Sequence, residues 1–329
     1  MALADVPGTP RRAGRPPSVP SAPSLGAVPP PALVMLGILS VQLGAGVAKN
    51  LFPVLPPSAV VFLRLLTSAL VLGFLARRAL RTLFADHSAR SLAVAAGLGL
   101  SLCVMNVSIY QAFSRIPLGV AVTIEFLGPL AVAILASRRV LDVGWALLAA
   151  AGVLLLTRGD GALDPVGVGF ALLAGVAWGA YILLTAATGR HFSGLSGLAV
   201  ASVFAAFVAL PLGVSAGGTA LLDPRLLLLG LGVGLLSSVI PYTLEMEALR
   251  RMPARVFGIL MSLEPAAAAL VGLVVLGEAL AGRQWAAIVC VMIACAGATL
   301  GGPRAARRSS GPAGDGHGRI EDGTRPAKE

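Results

Sequence analysis

Of 329 residues, 57% are hydrophobic and only 12% charged, against roughly a quarter charged in a soluble domain, so an ordinary soluble fold is excluded and lipid is the expected solvent. The formal net charge of +10 does not mark a nucleic-acid binder, because the arginines stand in short clusters at the edges of apolar runs and not along one face. Forty glycines and 23 prolines would suit a disordered chain, but such chains lack the aliphatic residues that saturate this one.

Residues 1–31 hold nine prolines and no continuous apolar stretch of the kind a secretory signal needs, which predicts a disordered cytoplasmic tail. Apolar runs then follow near 32–51, 58–76, 91–112, 117–136, 142–157, 166–187, 195–215, 226–248, 254–276 and 284–301. At about 20 residues per span these predict an all-α, polytopic membrane protein of ten transmembrane helices. The glycine-rich, charged stretch 303–329 predicts a second disordered tail.

Alternating the loops places sixteen arginines on one side, from Arg11, Arg12 and Arg15 through Arg77, Arg78, Arg81 and Arg90 to Arg304, Arg307 and Arg308. The other side keeps four: Arg115, Arg158, Arg225 and Arg283. The positive-inside rule makes the rich side cytoplasmic, with both termini there.

The chain also repeats itself. Residues 112–142 laid on 248–278 match at eight of 31 positions, among them Pro117 with Pro253 and Pro129 with Pro265, while Asp142 falls on Glu278. Two units follow, 32–160 and 161–302, each of five spans, and an odd number of spans inverts the second relative to the first. Inverted repeats with interrupted helices are a transporter architecture whose site lies near the midplane.

Ionisable groups inside spans are costly and usually face a cavity or one another. Here they are Lys49, Arg64, Glu125, Glu245, Glu247 and Glu264. Counting about 1.5 Å of rise per residue puts Arg64 and Glu125 at similar depth, where they are expected to pair, and Glu264 close to the midplane. In the repeat frame Glu264 falls on Gly128, three residues after Glu125, so the two acids project from nearly one face of equivalent helices. Pro129 and Pro265 follow them and are expected to kink the helix beside each acid. Desolvation at that depth makes proton-for-substrate exchange at Glu264 the expected coupling chemistry, with sodium as the other candidate ion.

Blander readings stand beside these. Lys49 lies within a turn of its helix end and can snorkel to the headgroups, and Glu247 stands four residues before Arg251, the spacing of a surface ion pair. Gly175 with Gly179 and Gly230 with Gly234 have the small-xxx-small spacing of close helix packing. Trp178, Tyr181 and Tyr242 suit either a cavity or an interfacial belt. Cys103, Cys290 and Cys295 lie in apolar runs without paired spacing, and His87, His191 and His317 fall in loops or a tail, so no metal, cofactor or catalytic motif is read and no enzyme is expected.

Four segments carry a resemblance: QLGAGVAKNLFP from Gln42, FLRLLTSALVLG from Phe62, IPLGVAVTIEFLGPLAVAILASRR from Ile116 and PYTLEMEALRRMPARVFGILMSLEPAAAALVGLVVLGE from Pro241. Together they resemble the threonine and homoserine exporters of the EamA family, within the drug/metabolite transporter superfamily. The resemblance implies two inverted five-helix repeats and efflux of amino acids or related metabolites across a bacterial inner membrane. It places Lys49, Arg64, Glu125, Glu245 and Glu264 at family motif positions, as substrate-binding or coupling residues. Glu247 and the proline-rich leader depart from the family pattern.

The expected function is thus secondary active export of a small polar metabolite coupled to protons or sodium, with the lipid bilayer as partner and no nucleic acid. A zwitterionic cargo accounts for both signs of charge in the spans. A lipophilic drug would need fewer cations, and a lipid-modifying enzyme should show histidines or acids clustered at one interface.

Overall fold

The computed structural model describes residues 28–77, 81, 88–136, 140–157, 163–192 and 196–301. Expectations for the tails, apart from residues 28–31, lie outside the described residues, as do those for Arg78, Arg138, Arg139, Arg158, His87 and His317. Among the described residues the chain forms helices and no strand.

In chain order the helices are α1 (Pro30–Leu51), α2 (Pro57–Leu75), α3 (Ala89–Phe113), α4 (Leu118–Glu125), α5 (Leu127–Leu135), α6 (Val140–Thr157), α7 (Pro165–Thr188) and α8 (Ser196–Gly217). They continue with α9 (Pro224–Gly234), α10 (Ile240–Arg251), α11 (Ala254–Met261), α12 (Glu264–Leu276) and α13 (Gly282–Gly301). Helices α4 with α5, α9 with α10, and α11 with α12 each make one interrupted path. Counting each of these pairs once, nine helical segments among the described residues are long and apolar enough to cross a membrane, whereas Val140–Leu156 is apolar but shorter.

Local chemistry fixes the helix ends. Proline opens α1, α2, α7 and α9, where its missing N–H is no loss. Asp164 accepts from Val166 N at 2.9 Å and Asp223 from Arg225 N at 2.8 Å, each satisfying a donor that the first turn leaves free. Helix α12 stops at Gly277, whose φ of 68° is the left-handed conformation that favours glycine.

All three interruptions fall beside prolines, the third, the π turn, just before Pro241. Helix α4 gives way to α5 at Phe126, three residues before Pro129, and α11 gives way to α12 across Ser262 and Leu263, just before Pro265. Sliding by the repeat offset superimposes Phe126 on Ser262, so the breaks occupy corresponding positions. The π turn, Leu235–Val239, stands between α9 and α10.

Because the surrounding solvent is lipid, large aliphatic side chains point outward: Leu135 is 85% exposed, Val140 88% and Val274 80%. On water such a surface would be an aggregation hazard, whereas in hydrocarbon it is the ordinary condition. Inside, α3 lies along α7, α8 along α2 and α3, α13 along α6, and α1 along α10. Glycine makes several of these approaches possible. A Cβ on Gly128 would stand 2.6 Å from the carbonyl carbon of Gly175, and one on Gly119 would stand 2.6 Å from Ala269 Cα. Gly230 and Gly234 likewise abut Leu63 and Thr67 of α2.

Since Gly128 meets backbone, no rotamer change relieves a side chain there. Gly128→Leu is expected to overpack the α5–α7 contact by more than the usual roughly 1–3 kcal/mol and to abolish the monodisperse peak of tagged protein in mild detergent. Gly144→Ala, where an added Cβ meets nothing within 4 Å, should leave that peak unchanged.

Candidate functional site

At mid-length, α1, α2, α3, the α4–α5 and α11–α12 breaks, α7 and the π turn surround a cavity of about 210 Å³. Its wall carries the carboxyl groups of Glu125, Glu245 and Glu264 and the guanidinium of Arg64. Four of the five charged residues singled out from sequence are therefore brought together. Trp178, Tyr181 and Tyr242 line the same cavity, so the belt alternative does not hold for them.

Each acid owes its place to a local feature of the chain. Glu125 is the last residue of α4 and Glu264 the first of α12, so both sit at helix breaks, and each is 8% exposed. Pro129 has no N–H for the carbonyl of Glu125, and that carbonyl instead faces Gly175, whose missing side chain leaves it room. Glu264 Oε1 accepts from Gln42 Nε2 at 2.9 Å. Glu245 lies against Gly37 on α1, where a Cβ would come within 3.5 Å of its side chain.

Arg64 is held by neutral groups. Its Nε donates to Ser238 Oγ at 3.3 Å, Nη1 to Tyr110 Oη at 3.3 Å and Nη2 to the carbonyl of Ser237 at 3.0 Å, while the guanidinium carbon stands 5.5 Å from the centre of the Tyr110 ring. The π turn supplies two of these partners, the Ser238 hydroxyl and the carbonyl of Ser237, which is free because Pro241, four residues on, has no N–H to give it. The neighbouring carbonyl, Leu236, accepts from Ser40 Oγ at 2.7 Å and ties the same turn to α1. The expected direct pair is corrected here: among the described residues Arg64 and Glu125 form no ion pair, because Tyr110 and the two serines occupy the guanidinium. The two face one cavity as separate poles.

Lys49 is placed elsewhere. It lies outside the cavity wall and does not snorkel alone: its Nζ is 2.5 Å from Glu278 Oε1 and donates to the carbonyl of Ile116 at 2.8 Å. Glu278 Oε2 in turn accepts from Leu118 N at 2.7 Å, capping the start of α4. One ion pair thus joins the end of α1, the start of α4 and the turn after α12. Below it the helices are packed to contact, with Gly46 against Val271 and Gly119 against Ala269. Towards the opposite end, where α10 finishes and α11 begins, a second cavity of about 350 Å³ shares Trp178, Glu245 and Met261 with the first. Glu247 keeps to the surface as expected, 3.9 Å from Arg250 and 4.0 Å from Arg251.

Sequence reasoning missed Gln42, Asn106, Tyr110, Ser237, Ser238 and Glu278. All but Glu278 are neutral polar residues in apolar runs. Their signal was spacing: Gln42 precedes Lys49 by two helical turns, and Asn106 precedes Tyr110 by one. Glu278 was visible only as the repeat partner of Asp142.

A bundle of membrane-crossing helices, broken where acids line a central cavity, defines a multi-pass transporter of small solutes. The chain belongs to the EamA-like transporter family, whose model matches residues 165–300. Similar proteins include the threonine/homoserine exporter RhtA of Salmonella typhimurium (strain LT2), 42% identical over 275 residues that cover 82% of this chain and 91% of that protein. The threonine/homoserine exporter RhtA of Escherichia coli (strain K12) is 40% identical over the same shares. These relatives are named as exporters and not as enzymes. A solved crystal structure, 18% identical, covers 82% of this chain and 96% of its own with a TM-score of 0.52, a likeness of fold alone.

The joint at Lys49 makes a coupled prediction. Lys49→Met and Glu278→Gln should each lower the thermal unfolding midpoint of the purified protein, and the double variant should lose less than the sum, with a coupling of roughly 0.5–3 kcal/mol. Strictly additive losses would show that the two side chains do not act as a pair.

Proposed function

We propose that the chain is a secondary active exporter of small polar amino acids, threonine and homoserine first among them, across a bacterial inner membrane. The observation that carries this reading is the cavity's two poles, a guanidinium on one wall and three carboxyl groups on the others, in a chain 42% identical to named threonine/homoserine exporters. A zwitterion fits such a cavity, carboxylate towards Arg64 and ammonium towards the acids. Three acids against one arginine also leave negative charge in excess, which suits a site that carries a proton or a sodium ion as well as substrate.

In this reading Val140–Leu156, at the short end of the spanning range of about 17–25 residues, is the tenth span. The corresponding helix breaks support two inverted five-helix units, and the arginine asymmetry supports cytoplasmic termini. The Lys49–Glu278 end then faces outward and is closed, while the second cavity leads inward, an arrangement ready to load from the cytoplasm. Export requires the Lys49 joint to part as the inner path shuts, which is the coupling role left for that lysine. Glu264 exchanges a proton for the substrate ammonium during the cycle, and Pro129 and Pro265 keep the helices beside the acids from closing their ladders.

The test is export from bacterial cells loaded with threonine dipeptide. Expression of the native chain should raise the rate of threonine appearance outside the cell several-fold over cells without it. Glu264→Gln, inserted in the membrane at native levels, should abolish the dependence of export on the pH gradient. Unchanged efflux with the native chain would sink the amino-acid reading, and normal pH-driven export by the Gln variant would remove Glu264 from coupling.

A further inference from the structure

Four residues that line the cavity have a buried side-chain atom without a partner among the described residues: Gln42, Asn106, Glu264 and Ser237, the last a hydroxyl that can donate as well as accept, the other three atoms being acceptors when the acid is ionised. Gln42, 1% exposed on α1, turns its amide nitrogen to Glu264, because a carboxylate oxygen can only accept; its own oxygen, Oε1, is left without a partner among the described residues. Glu264 Oε2 is likewise unpartnered. On α3, Asn106, 2% exposed, gives its amide nitrogen to the carbonyl of Leu102 at 2.8 Å, and its Oδ1 is left over in the same way. All three residues line the one central cavity. Buried acceptors left unmet are rare in native proteins and ask for a donor from outside the chain.

We propose that Gln42 is a substrate-contacting specificity residue, whose amide oxygen, beside the free carboxyl oxygen of Glu264, receives N–H groups from the ammonium of the transported molecule. This rests on the reading of the chain as an amino-acid exporter and says which group reads the amine. A primary ammonium suits the wall better than water does, since it brings three donors and the positive charge that the acids lack. Arg64 cannot receive the ammonium, having only donors to offer. The Gln42–Glu264 bond also makes the recognition switchable. A proton on Glu264 removes one acceptor and can turn its O–H towards Gln42 Oε1, so the pair that binds the ammonium also releases it.

The experiment compares threonine with N-methylthreonine, whose ammonium has lost one N–H, in proteoliposomes holding the native chain or Gln42→Met, a variant of similar length without the amide. The native chain should prefer threonine by roughly tenfold or more in kcat/KM, since a site built around a substrate N–H rejects an analogue that lacks it. In Gln42→Met that preference should shrink several-fold, whatever happens to the absolute rate; a merely structural role would slow both substrates alike. Transport by the native chain with no preference overturns the proposal without recourse to any variant, as does a preference that Gln42→Met leaves intact. Sodium-stimulated uptake that vanishes in Gln42→Met while the preference persists would also overturn it, assigning these oxygens to a cation. If the native chain moves neither amino acid, the amino-acid reading itself fails, an outcome distinct from the others.

Discussion

A carboxyl group inside a lipid-embedded bundle can send its lone pairs only to other protein atoms or to a guest, and this constraint organises the centre of the molecule. Three acids meet there, yet among the described residues the one hydrogen bond that a protein group gives their oxygens comes from Gln42 to Glu264. Arg64, the cation that lines the same cavity, is engaged by Tyr110, Ser237 and Ser238. The wall therefore does not neutralise itself. Had Arg64 closed on Glu125, the pair would have been the ordinary way for a membrane protein to tolerate charge, and the cavity would have had less need of a ligand.

Charge is treated in the opposite manner at the end of the bundle. Lys49 and Glu278 satisfy each other, and both also take up backbone groups, the carbonyl of Ile116 and the N–H of Leu118. Beneath them Gly119 of α4 meets the backbone of Ala269 on α12, and Gly46 of α1 meets the side chains of Val271 and Val275. The same three helices thus carry a self-satisfied polar joint at one end and an unsatisfied polar surface at mid-length. That contrast separates a device that holds the protein shut from one that holds something else.

Much of this was legible in the chain. Apolar runs located the helices to within a few residues, because a bilayer of fixed thickness leaves little latitude in length. The acids stood out because charge is so rare in those runs. What could not be read was orientation. Similar depth suggested that Arg64 would meet Glu125, but depth says nothing of azimuth, and the tyrosine and serines that claim the guanidinium come from α3 and from the π turn. Lys49 misled for a related reason: its partner, Glu278, lies 229 positions away in a turn after α12. The neutral residues Gln42 and Asn106 were passed over because an amide in an apolar run is unremarkable until both ends of its hydrogen-bonding ledger are known.

The π turn at Leu235–Val239 has a geometric corollary for the helix that carries Glu245. Each residue of an α-helix advances about 100° around the axis, and a π turn holds one residue more than an α turn. The two parts of this path are therefore out of phase by about that angle. Gly230 and Gly234 face α2 before the turn, whereas Tyr242 and Glu245 face the cavity after it. A regular helix through the same residues would carry Glu245 away from the cavity by that angle, towards a neighbouring helix or the lipid. The direction in which this acid points is thus set by a surplus of one residue in the count, and not by the identity of any one side chain.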